Sequence, residues 1–160
     1  MRRRLGVLVT GLLVGSTAAS AEPTDVALSA GYWGLRAHEP HELAYELELR
    51  PGVRWWWVRP TAGFLQSSEG TGYLFGGVLL EIPLPWGITV SPGFAPGIRT
   101  MQGARNLGSA LLFRSSIELG FPMFPGLRGI VSFAHISNGK LAAPNPGIEL
   151  LLFGFELALE

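Results

Sequence analysis

A nucleophile and a base stand two residues apart in the run Phe133-Ala-His135-Ile-Ser137-Asn138-Gly-Lys-Leu-Ala-Ala-Pro-Asn145-Pro-Gly-Ile-Glu149. In an extended strand that spacing points both side chains to one face, within reach for the imidazole to accept the hydroxyl proton. Glu149 adds a carboxylate that could hold the other imidazole nitrogen if its strand pairs with theirs. Those residue types allow acyl transfer, in which the hydroxyl attacks a carbonyl carbon and the imidazole takes and then returns the proton. A His-x-Ser step in a strand is commonplace, however, and spacing alone leaves open an interfacial polar cluster at the strand ends.

The elements that must position these residues read as strands. Frequent glycine (22) and proline (12) punctuate eight segments: Val26 to Leu35, His41 to Arg50, Trp57 to Ser67, Thr71 to Ile82, Gly87 to Gly97, Ser109 to Phe121, Leu127 to Ile136, and Gly147 to Leu159. Each is on the order of ten residues, the length of a tilted strand that crosses a bilayer. Alternation sorts their faces. Leu43, Tyr45, Leu47 and Leu49 oppose Glu42, Ala44, Glu46, Glu48 and Arg50, and Leu111, Phe113, Ile117 and Leu119 oppose Arg114, Ser116 and Glu118. The fifth strand alternates likewise, whereas the fourth carries apolar residues on both faces.

The pattern predicts an all-β fold, an eight-stranded antiparallel transmembrane outer-membrane β-barrel with apolar side chains facing lipid and small or charged ones inside. Glu46, Glu48, Arg114 and Glu118 are then interior ion pairs. Trp55-Trp56-Trp57, Trp86, Phe121 and Phe124 fall at the second, fourth and sixth connections, as an interfacial girdle requires. Those connections are tight, while the odd-numbered ones are polar, which puts the odd loops outside. Two soluble alternatives invert or relax this pattern: a water-exposed sheet, and a periplasmic barrel holding an apolar ligand inside.

Parity also places the chemistry. His135 and Ser137 share their face with Val131 and Phe133, and Glu149 shares its own with Leu151, Phe153, Phe155 and Leu157. A register that pairs His135 with Glu149 pairs Phe133 with Leu151 and Val131 with Phe153, so every outward residue opposes another. Ionisable groups on a wall that meets hydrocarbon are costly to keep there, which marks them as functional candidates.

The chain opens Met1-Arg-Arg-Arg4, continues with an apolar run from Leu5 to Val14, and reaches small residues at Ser16 to Ala21. This layout predicts a signal peptide over residues 1–21 and a single barrel domain over 22–160. Twelve basic and twelve acidic residues leave the chain near neutral, against a nucleic-acid partner, and cysteine is absent. His38 and His41, flanked by Glu39 and Glu42, read more simply as a solvated charged loop than as a metal site.

The run His135-Ile-Ser137-Asn138 followed by Asn145-Pro-Gly-Ile-Glu149 resembles the signature of the lipid A 3-O-deacylase (PagL-like acyloxyacyl hydrolase) family, with weaker similarity through Glu46-Leu-Glu-Leu-Arg50 and Leu112-Phe-Arg-Ser-Ser-Ile-Glu118. The resemblance implies an outer-membrane esterase that removes the 3-O-linked acyl chain of lipid A, in lipopolysaccharide of the outer leaflet, as a 3-hydroxy fatty acid. It implies Ser137 as nucleophile, His135 as base and then acid, and Glu149 as orienter of His135. Asn138 and Asn145 are implied in oxyanion stabilisation or in shaping the loop. No cofactor or metal is implied; partners are the lipid substrate and outer-membrane lipids, and a homodimer is left open. Where family members often carry a small residue and then glycine after the asparagine, this chain has Gly139-Lys140. A non-catalytic structural or lipopolysaccharide-binding barrel is the competing function.

Overall fold

The computed structural model describes residues 20–35, 42–103 and 105–159. Of the expected signal peptide only Ser20 and Ala21 fall within them, paired with Val53 and Arg54. The loop bearing His38 and His41 lies outside the described residues.

Eight antiparallel strands form the wall: β1 (Thr24–Trp33), β2 (Glu42–Arg50), β3 (Val58–Ser67), β4 (Gly72–Leu80), β5 (Thr89–Met101), β6 (Leu111–Phe124), β7 (Leu127–Ser137) and β8 (Ile148–Leu159). Each pairs with its neighbours in sequence, and β8 pairs back onto β1, so the sheet closes into a barrel. Closure gives every strand two partners and leaves no edge, the condition a strand must meet in hydrocarbon. The strands follow the eight segments read from the sequence. β5 runs past Gly97 to Met101 because its ladder with β4 continues through Arg99, and β6 runs past Pro122 to Phe124, where a register shift between Leu127 and Arg128 absorbs the offset.

The outside is apolar and the inside is not. Along β2 the residues alternate strictly, with Leu43, Tyr45, Leu47 and Leu49 exposed and Glu42, Ala44, Glu46, Glu48 and Arg50 buried. Such an inverted surface suits lipid and would be a severe liability in water. One end of the barrel carries the short turns, and there the aromatic residues stand out from the wall: Trp56 is 78%, Trp86 88% and Phe124 69% exposed. They form a girdle rather than a core cluster.

The interior has two layers. Towards the turn end, Arg50 lies between three carboxylates, bonded to Glu48 at 3.0 Å, to Glu118 at 2.7 Å and to Glu156. Arg114 bonds Glu46 at 3.0 Å and sits 4.9 Å over the Phe75 ring, while Arg59 bonds Asp25 at 2.6 Å. These pairs plug the barrel down to a polar vestibule of about 700 Å³ at the turn-end mouth. Towards the loop end the filling is apolar: Trp33, Leu65, Tyr73, Phe75, Leu112, Ile136, Ile148 and Leu150 are all buried. This layer explains β4. Tyr73, Phe75 and Leu79 fill the interior while Leu74, Val78 and Leu80 face out, so both faces read as apolar.

Candidate active site on the outer wall

β7 and β8 pair with His135 opposite Glu149, Phe133 opposite Leu151 and Val131 opposite Phe153. This is the register that parity required. Nδ1 of His135 lies 3.1 Å from Oε1 of Glu149, with the His135 side chain 40% exposed and the Glu149 side chain 16%. A carboxylate can only accept, so the proton of a neutral imidazole sits on Nδ1, which leaves the Nε2 lone pair free to act as a base. On the turn-end side of this pair the wall is hydrocarbon-like, with Phe133, Ile117 and Phe153 exposed.

Gly147 fixes the ring from the other side. Its φ is +64°, and a Cβ there would lie 2.6 Å from Cε1 and 3.3 Å from Nε2 of His135. Only glycine lets the backbone come this close. The contact also shows that the Cε1–Nε2 edge of the ring faces the loop end, the direction in which Ser137 follows His135 along β7. Ser137 ends that strand opposite Phe113, whose ring stacks on Phe94 at 6.1 Å. A second hydroxyl stands nearby: Ser115, exposed on β6, is the residue directly opposite His135 on the side away from Glu149. It stands level with His135 in the ladder and forms no hydrogen bond to it among the described residues.

After Ser137 the chain turns around Asn138, which is fully buried. Its side-chain amide donates to the carbonyls of Leu107, Ala142 and Pro144 at 2.9, 2.9 and 3.0 Å, and its Oδ1 accepts from the Lys140 N–H at 2.9 Å. Its own N–H donates to Oδ1 of Asn145 at 3.0 Å. Asn138 therefore binds the β7–β8 loop to itself and to the β5–β6 loop, and its amide hydrogens are fully engaged. The Gly139 N–H and the Asn145 side-chain amide are neighbouring donors that meet no acceptor among the described residues.

The structure pairs His135 with Glu149 and sets Ser137 two residues along the same outward face of β7, with no hydrogen bond to His135 among the described residues; Asn145 is exposed in the loop above, and Asn138 is buried within that loop. Sequence reading set Phe113 on the outward face but gave no role at the site to Phe113, Ser115 or Gly147. The outward parity of β6 places Phe113 and Ser115 on this wall, but nothing local distinguishes Gly147 from the many other turn glycines.

Comparison with known proteins shows the family and the fold. The family model described as Lipid A 3-O-deacylase (PagL) matches residues 32–158. A protein named lipid A deacylase PagL from Pseudomonas aeruginosa is 28% identical, over 93% of this chain and 94% of its own length. Its namesake from Bordetella bronchiseptica is 25% identical over 89% of each. Among solved structures, the outer membrane enzyme PagL superposes with a TM-score of 0.64 at 23% identity, covering 84% of this chain and 99% of that one. Neisserial surface protein A shares the barrel alone, with a TM-score of 0.66 at 8% identity over 89% of this chain and all of that one. A family match that spans most of the barrel, both strands of the His135–Glu149 pair included, places this chain in the lipid A 3-O-deacylase (PagL) family.

Proposed function

We propose that the chain is an outer-membrane esterase that hydrolyses the acyl chain at the 3 position of lipid A and releases a 3-hydroxy fatty acid. The observation that carries this reading is the 3.1 Å contact between His135 and Glu149 on a wall that otherwise meets lipid, with Ser137 next along the strand. An imidazole and a carboxylate placed among exposed phenylalanines and leucines have no structural task there, and a membrane-embedded ester is the substrate such a position can reach. The odd-numbered loops, and with them the site, face the outer leaflet.

In the proposed reaction Ser137 Oγ attacks the ester carbonyl while its proton passes to Nε2 of His135. Glu149 accepts from Nδ1–H throughout and stabilises the imidazolium. The tetrahedral intermediate collapses as the sugar oxygen leaves with the proton from Nε2, so the acyl group stays on Ser137. Water then attacks the acyl-serine with His135 again as base, and the fatty acid departs. The oxyanion is held by the Gly139 N–H and the Asn145 amide; Asn138 shapes the loop that presents them, its own amide being engaged.

Expression beside suitable lipid A removes one 3-hydroxyacyl chain, read by mass spectrometry. Ser137→Ala abolishes this while the barrel still folds, and Glu149→Gln lowers the rate about a hundredfold or more, because the imidazole loses its orienting acceptor. Undiminished activity in Ser137→Ala would remove it as nucleophile. A folded wild type that leaves several lipid A species intact would favour a non-catalytic lipopolysaccharide-binding barrel.

A further inference from the structure

Lys140 stands three residues beyond Ser137 in a conformation that lysine does not favour. Its φ is +67°, following Gly139 at +61°, and the Asn138 carbonyl accepts from the Leu141 N–H at 3.1 Å across the turn. Two consecutive left-handed residues inside such a bond make a turn of the type I′ kind, where glycine or asparagine sits without strain and a longer side chain does not. The turn cannot relax, because Asn138 also holds the Lys140 N–H at 2.9 Å and is itself tied to three carbonyls. Lysine is kept there at a conformational cost, and strain retained beside a reactive centre is a pointer to use.

The surroundings indicate what the ammonium meets. Lys140 is exposed and forms no ion pair among the described residues. The next residue, Leu141, is 58% exposed, an apolar side chain at the tip of a polar loop. A leucine facing out beside an exposed lysine fits a turn at the lipid interface, with the apolar chain in hydrocarbon and the charge at headgroup level. The wall below, through Phe133 and Leu151, is hydrocarbon-facing.

We propose that Lys140 is an anion subsite that takes a phosphate of the substrate's own headgroup, and so positions a phosphorylated glycolipid with its ester at Ser137. The proposal rests on the esterase reading and adds to it a determinant of specificity. A phosphate on the sugar anchors the ring beside the turn, the ester lies towards Ser137 and the acyl chains run down the apolar wall. A single charged hydrogen bond of this kind changes affinity by about tenfold or somewhat more.

The test separates binding from turnover. In neutral detergent micelles, folded Ser137→Ala protein binds bisphosphorylated lipid A about tenfold tighter than the same lipid treated with phosphatase. In the double variant Ser137→Ala, Lys140→Gly that preference falls to near one, whereas Lys140→Arg in the same background retains it. In turnover, Lys140→Gly shows the loss in KM rather than kcat, and its unfolding midpoint does not fall, since glycine relieves the left-handed strain. Equal preference with and without Lys140 overturns the subsite even if wild-type hydrolysis is robust. A phosphate preference that depends on Lys140 in a protein that hydrolyses nothing overturns the esterase reading and leaves the subsite standing. A Lys140 effect seen equally with dephosphorylated lipid once phosphatidylglycerol is added assigns the contact to surrounding lipid and overturns its assignment to the substrate.

Discussion

Glu149 and Gly147 act on one imidazole from two directions, the carboxylate by a hydrogen bond to Nδ1 and the glycine by its backbone against the Cε1–Nε2 edge. Ring orientation therefore depends on both. Gly147→Ala adds a Cβ 2.6 Å from Cε1 at a backbone angle that L residues rarely adopt, so the ring must rotate or the loop must lift. The expected outcome is a rate loss of at least about a hundredfold with little loss of barrel, since misplacement by about 1 Å is enough to cause it; a near-wild-type rate would show that the ring position does not matter. Two serines share the outward face near the ring, Ser137 two residues along β7 and Ser115 opposite on β6. Ser115→Ala, measured by the same lipid assay as Ser137→Ala, retains activity to within a few-fold, because Ser115 is level with the ring whereas the Cε1–Nε2 edge faces the loop end; abolished activity would move the nucleophile from β7 to β6. His135, Ser137 and Glu149 were legible as a group because strand parity is a property of sequence. The glycine was not, because its contact is made by backbone that has no side-chain signature.

At the scale of elements, the β7–β8 hairpin is set by pairing and its loop by a single side chain. The outward set Val131, Phe133, His135 finds its partners Phe153, Leu151, Glu149 because any one-residue slip would turn leucines inward and Glu156 out. The loop beyond has no such constraint, and Asn138 supplies it by joining residues 31 positions apart, its own amide and the Leu107 carbonyl. Asn138→Ala leaves the carbonyls of Leu107, Ala142 and Pro144 and the Lys140 N–H without this partner, a loss of about 1–3 kcal/mol. Hydrogen exchange in this variant rises in both the β5–β6 and β7–β8 loops while the strands stay protected; a rise confined to one loop would contradict the stitching role. Asparagine after the serine was visible in the sequence as a motif residue, but a side chain that builds a loop and one that meets substrate look alike until their partners are placed.

At the scale of the molecule, the barrel trades a soluble core for an ionic plug. Buried ion pairs add little over a well-packed apolar filling, yet breaking one is severe because charges are left behind in a dry interior. Arg50→Leu leaves Glu118 without its guanidinium and takes the nearest cation from Glu48 and Glu156, which keep Arg114 and Arg128 at 3.6 Å, and the expected loss is about 3–5 kcal/mol, read as a lower urea midpoint in lipid vesicles. Arg54, 26% exposed at the vestibule mouth, pairs with Glu22 and Glu81, and Arg54→Leu is expected to lose no more than about 1 kcal/mol. Equal losses would mean that the plug and the mouth are equally hydrated.

Turn residues and the alternation of apolar and charged residues by themselves determined the number of strands, the barrel, the lipid-facing wall and the outward parity of His135, Ser137 and Glu149, because turn chemistry and a period of two are written residue by residue. What the tertiary structure decided lies in contacts between segments far apart in sequence. The apolar layer that takes Tyr73 and Phe75 inside, the join between two loops through Asn138, the approach of Gly147 to the imidazole and the strained stance of Lys140 each depend on where another part of the chain arrives, and no local pattern encodes that arrival.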